Sequence, residues 1–173
     1  AATTCNSIKA AVNEYYGKYG LIAGPKGAAL TFSSGISEDW DLSTLVAEGV
    51  AEKPFAVRIG NGFIGAANSG SRLRVINISA NTTNTAVADG AGDLAGGAYN
   101  LDGTGATNDI AGVYLVEAVI EQVDSQDAKD FNDRIDGAVL GATNLTSADQ
   151  RGRVKYTAPS SGKTSVRIYI AHR

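Results

Sequence analysis

Methionine is absent from this chain, even at position 1, and cysteine, histidine and tryptophan each occur once among 173 residues. Each scarcity excludes something. Without Met at its start, Ala1 is expected to follow processing or trimming rather than to mark the natural translation start. One cysteine, Cys5, can build neither an intrachain disulfide nor a zinc cluster. A nucleophilic Cys5 would want an imidazole beside it, and the sole imidazole, His172, lies next to the C-terminus; a cysteine that packs or faces solvent is the simpler reading. A single histidine also leaves little for general-base work near neutral pH. No apolar run approaches the roughly 20 residues that span a bilayer, so membrane attachment is expected only in sequence outside this chain.

Neither acidic nor basic residues dominate. Fifteen Lys and Arg against 18 Asp and Glu give a net charge of -3, with the arginines scattered along strands, which argues against a nucleic-acid partner. Enzyme signatures are equally scarce: the sequence has no Gly-x-Ser-x-Gly elbow, no His-Glu-x-x-His and no phosphate-binding loop that opens a helix. No enzymatic activity, catalytic residue or resident cofactor is expected. Apolar residues make up 43 % of the chain, enough for one real core, and 21 glycines with many Ala, Ser, Thr and Asn suit a secreted or surface-exposed β-rich domain with long loops.

The chain then reads as one domain over 1–173, with a helix at 1–20, a connecting stretch with a short helix at 21–54, and a sheet region at 55–173. Ile8, Val12, Tyr15 and Tyr19 recur at four, three and four residues, one face of a helix that stops at Gly20. Gly24-Pro25-Lys26-Gly27 is a turn, and Ala29–Ser33 could be a short strand or an extended arm. Asp39 or Asp41 can cap a second helix that turns Leu42, Leu45 and Val46 inward, ends at Gly49 and is barred by Pro54. Trp40 at its entrance either staples the loop to the core or, in the alternative, offers a surface for stacking a ligand.

Phe55–Ile59 alternates apolar and polar residues, Asn61-Gly62 signals a turn, and Leu73–Ile78 is a second strand, so a hairpin is expected. From Ala80 to Asp109 the composition shifts to Asn, Thr, Gly, Ala and Asp, a long loop of the kind that carries function. Asp89, Asp93, Asn100, Asp102, Asn108 and Asp109 could supply oxygen ligands to calcium within 89–109, although their spacing does not match the helix-loop-helix calcium pattern and turns use the same residues. Val113–Val123 is the strongest strand signal, with Tyr114, Val116, Ala118 and Ile120 on one face and Glu117 and Glu121 making the other face wetter.

A third helix is signposted from Asp124 to Asp136, with Ala128, Phe131 and Ile135 inward and Gly137 as its stop. Its acids, Asp124, Asp127, Asp130, Asp133 and Asp136, repeat every third residue and so drift around the helix by about 60° per step, which makes a solvated face rather than one carboxylate cluster. Gly152–Thr157, the Pro159–Gly162 turn and Thr164–Ala171 form a closing hairpin with Val166, Ile168 and Ile170 toward the core. The expected fold is α+β: an N-terminal helix packed across an antiparallel sheet, with two short extra helices and a long Gly/Asp-rich loop.

The run Asn13-Glu14-Tyr15-Tyr16-Gly17-Lys18-Tyr19-Gly20, preceded by Thr4, Ile8, Ala11 and Val12, resembles the close of the long N-terminal helix of type IV pilins and type II secretion pseudopilins. The long strand, the Ser125–Gly137 helix and the Gly-Arg-Val-Lys-Tyr hairpin are similar to the C-terminal half of prepilin-type proteins. The family's hydrophobic half-helix, with its cleavage glycine, the following phenylalanine and a buried glutamate, does not occur here. The resemblance therefore implies a pilin or pseudopilin head cut inside that helix. Its partners would be other subunits, bound through the missing half-helix, and the inner membrane before assembly; its location would be periplasmic or extracellular. Some major pseudopilins hold calcium in a late loop, which keeps the 89–109 acids in view. The competing reading is a secreted or surface binding module, an adhesin or carbohydrate-binding domain, working through Trp40 and the Ala80–Asp109 loop.

Overall fold

The computed structural model describes residues 1–22, 36–37, 39–60, 72–77, 99–103, 109–110, 113–141 and 144–173. Helix α1 runs Ala2–Tyr19 and ends where Gly20 takes a left-handed φ of 71°, its N–H donating to the Tyr16 carbonyl. That conformation costs glycine little and any side chain more. Strands follow at β1 (Ile36–Ser37), β2 (Arg72–Asn77), β3 (Tyr114–Asp124), β4 (Val154–Tyr156) and β5 (Lys163–His172), with helix α2 (Ser125–Asp136) between β3 and β4. They make one antiparallel sheet in the order β1-β2-β3-β5-β4. The α+β class and the helix-on-sheet packing expected from the sequence are what the chain adopts.

Helix α1 meets the sheet through the face that its spacing implied. Ile8, Val12 and Tyr15 are fully buried, and Tyr19 packs half-buried against the same cluster. Val75, Val116, Ala118, Val166 and Ile168 rise from the sheet to meet them. The outward face carries Lys9, Asn13 and Glu14, all exposed, so one helix separates two environments at 3.6-residue spacing.

The stretch 41–46 is helical, but as a π-helical turn, Asp41–Val46, rather than an α-helix. A cause is visible in Asp41, which is buried and whose Oδ2 accepts the Phe55 N–H at 2.9 Å. The expected helix cap is thus a tie to the following segment, and burial pushes the Asp41 carboxyl above its usual range against several backbone N–H groups that pull it down. Leu45 faces inward, whereas Leu42 stands exposed, contrary to expectation; the wider π turn re-phases the side chains.

Two further expectations change in the sheet. Phe55–Ile59 forms no strand among the described residues, and β2 pairs instead with β1 and β3. Val57 and Ile59 are nonetheless buried, so the alternation marked a segment with one face inward rather than a strand of the sheet. Ala29–Ser33, the Asn61-Gly62 turn and most of Ala80–Asp109 lie outside the described residues. In β3 the register slips between Ile120 and Val123, where Gln122 takes a φ of 59°. The bulge returns Val123 to the core three residues after Ile120, which strict alternation would forbid.

Helix α2 turns Ala128 fully inward and Phe131 and Ile135 partly inward. Asp124 occupies the N-cap position without a side-chain cap bond; its carboxylate pairs with Lys163 at 2.8 Å across the β3–β5 ladder.

Candidate functional site

The residue types singled out in the sequence do not converge. Cys5 lies half-buried on α1, where burial raises its thiol pKa and Arg153 opposes the rise. His172 gives its Nδ1 to the Tyr169 hydroxyl at 2.7 Å, so the imidazole is engaged at the far end of β5. Trp40 is fully buried, its ring edge-on to Tyr15 at 5.3 Å between centroids. It is a core residue and presents no face to a ligand.

The acids of α2 part company as their spacing requires. Asp130 accepts from Gln126 at 2.7 Å, Asp133 pairs with Lys129 at 2.6 Å one turn earlier, and Asp136 accepts the Val154 N–H at 2.7 Å. Of the calcium candidates, Asp89, Asp93 and Asn108 lie outside the described residues. Asp109 spends its Oδ2 on the N–H groups of Leu101 at 2.6 Å and Asp102 at 3.2 Å, closing a turn. Asn100 is buried, and its carbonyl accepts the Gly152 N–H at 2.8 Å. Among the described residues no three His, Cys, Asp or Glu side chains gather as a metal would need.

What does converge lies on the sheet face away from α1. Alternation along β3 and β5 places Glu117 and Arg167 there, and β4 adds Lys155. The expected wetter face is dry at this point: Glu117 is 0 %, Lys155 1 % and Arg167 2 % exposed. Tyr99 and Ile110, on the segment leading to β3, cover it. Glu117 holds Arg167 through Oε1 at 3.0 Å and accepts the Tyr99 hydroxyl on Oε2 at 2.8 Å. The Lys155 ammonium sits 4.2 Å from the centre of the Tyr99 ring. Both oxygens of Glu117 are thus used, and two cations share one carboxylate and one aromatic face.

With its charged members all buried, the cluster ties Tyr99 and three strands together. Its effect is directional. A buried carboxylate accepts only from donors placed around it, so Tyr99 must return to one spot over the sheet whatever the preceding residues do. Sequence reasoning missed it because its members come from four separate segments. The one available signal was three charged residues, Glu117, Lys155 and Arg167, each flanked on both sides by apolar residues in a strand.

The open feature is on the α1 side. Ala2, Cys5, Asn6 and Lys9 of α1 and Phe131 and Ile135 of α2 wall a groove of about 190 Å³, floored by Ile168 and Ile170 with Arg153 at its mouth. Arg153 is close enough to the Cys5 thiol and the Tyr169 hydroxyl to oppose the upward shift that burial gives each. No helix among the described residues is long and apolar enough to cross a membrane. No protein-family model matches the chain, and no curated protein and no solved structure matches it either.

Proposed function

We propose that this domain is the globular head of a structural subunit in a filament of the type IV pilus or type II secretion pseudopilus kind. The observation that carries the reading is how α1 sits. From Ile8 onward it is clamped to the sheet by Ile8, Val12 and Tyr15, whereas Ala1, Ala2 and Thr3 at its start are exposed. Helical bonding already begins at Ala1, whose carbonyl accepts the Cys5 N–H at 2.9 Å. A helix continued upstream would leave the head along its own axis without disturbing the packing below.

In this reading the helix is a strut. Its apolar extension would be held in the inner membrane before assembly and among neighbouring helices afterwards, and the head would face the periplasm or the cell exterior. The buried Glu117 cluster fits a load-bearing role, because it fixes a covering segment to the sheet without opening a cavity. Production of the full reading frame in its own host, followed by shearing of the cells, tests the proposal. Filaments that carry this domain are expected; a freely secreted monomer with no assembled fraction would overturn it.

A further inference from the structure

The α1–α2 groove combines features that belong to a small-ligand site. Its interior is apolar, from Phe131, Ile135, Ile168 and Ile170. Its polar residues are Asn6, Lys9, Arg153, Cys5 and Tyr169, two of them cations and none a carboxylate, and the Tyr169 hydroxyl is already bonded to His172 Nδ1. Among the described residues neither Lys9 nor Arg153 has a carboxylate within ion-pair distance, whereas Lys129, Lys163 and Arg167 each have one. The acid that feels Arg153 is Asp136, and its Oδ2 already accepts the Val154 N–H. An unpaired guanidinium over an apolar slot complements an anion with a short apolar tail.

We infer that the groove binds a small aliphatic carboxylate, with the tail between Phe131, Ile135 and the β5 isoleucines and the carboxylate on Arg153 and Lys9. Size narrows the class. At about 190 Å³ the groove is smaller than the roughly 300–1,000 Å³ pockets that hold drug-sized ligands, so it suits a small one. A tail of about five carbons with its head group at the mouth fits that space, whereas a long-chain acid would project into solvent. The site is independent of the filament reading, since it needs only the packing of α1 and α2 on β5.

Hexanoate is the probe, titrated into the whole chain and followed by methyl and amide resonances. Saturable shifts are expected at Ile135, Ile168 and Ile170, with acetate failing for lack of a tail and hexylamine failing for its charge. Cys5 offers a second readout: hexanoate should slow alkylation of its thiol, which lines the same wall. Arg153→Gln should weaken hexanoate by about tenfold or more, the usual cost of a charge-assisted pair, with the remaining spectrum unchanged. Lys9→Gln should weaken it less, because Lys9 reaches in from the exposed side of α1. The inference is overturned if hexanoate shifts these resonances no more than acetate does, if hexylamine binds equally well, or if Arg153→Gln leaves binding intact.

Discussion

The Asp136 carboxylate at the end of α2 accepts the Val154 N–H of edge strand β4 at 2.7 Å. One turn earlier, Asn132 donates its Nδ2 to the Val154 carbonyl at 2.5 Å. Val154 pairs with Ile168 of β5, but its own N–H and C=O point outward, away from that partner. An edge strand with open polar groups invites pairing with another chain. Here two side chains spaced i, i+4 on one helix close both groups of one residue, so α2 acts as a substitute strand.

Removing either grip leaves a buried backbone group unpaired. Asn132→Ala is expected to cost about 1–3 kcal/mol in urea unfolding, and Asp136→Ala a similar amount. Because both act on Val154, the double variant should cost less than the sum of the singles. Both singles should also raise concentration-dependent association, seen as a larger sedimenting species, as the edge opens.

The Glu117 cluster predicts a strong asymmetry between breaking and replacing. Glu117→Ala leaves Arg167 buried without its carboxylate and should destabilise by about 3–5 kcal/mol. Replacing both partners with leucine should recover a large part of that loss. A denaturation midpoint for the double variant as low as that for Glu117→Ala would contradict the cluster as described.

Tyr156 gives a signed pH prediction. The residue is 1 % exposed, its hydroxyl has no hydrogen-bond partner among the described residues, and its pKa is pushed up to about 12, first by burial and then by Asp149 and Asp133. The folded state therefore holds this proton more tightly than the unfolded chain does. The resulting stability is fully present below about pH 10 and is lost as pH rises through about 12. Tyr156→Phe should be near neutral at pH 7, since no bond is lost, and should show a shallower fall in unfolding free energy above pH 10 than the parent.

Trp40 separates packing from recognition. Its burial against Tyr15 predicts that Trp40→Ala lowers stability by about 3–5 kcal/mol, the range for truncating a buried large aromatic. Trp40→Phe should cost much less. Added glycans should leave the fluorescence of the parent unchanged, because the indole has no exposed face.

The parts legible in the sequence are those governed by local period. Ile8, Val12 and Tyr15 on α1, Ala128 on α2 and Val166, Ile168 and Ile170 on β5 face the core as their spacing required. Where a distant partner decides, periodicity failed. Phe55–Ile59 alternates like a strand, yet β2 found its neighbours in Ile36–Ser37 and β3. Asp41 has the chemistry of a cap but serves the Phe55 N–H, and Asp124 serves Lys163 instead of its helix. Glu117 looked wet because nothing near it in sequence announces Tyr99 or Arg167. The groove was illegible for the same reason: Cys5, Phe131 and Arg153 meet only after the sheet has closed.

The filament reading rests on a helix that continues beyond Ala1, and the reading frame upstream of Ala1 tests it most directly. The account predicts a short basic leader, a Gly-Phe cleavage junction and about 20 apolar residues, enough to span a bilayer, in helical phase with Ile8 and Val12. A plain secretory signal peptide ending immediately before Ala1 would contradict it.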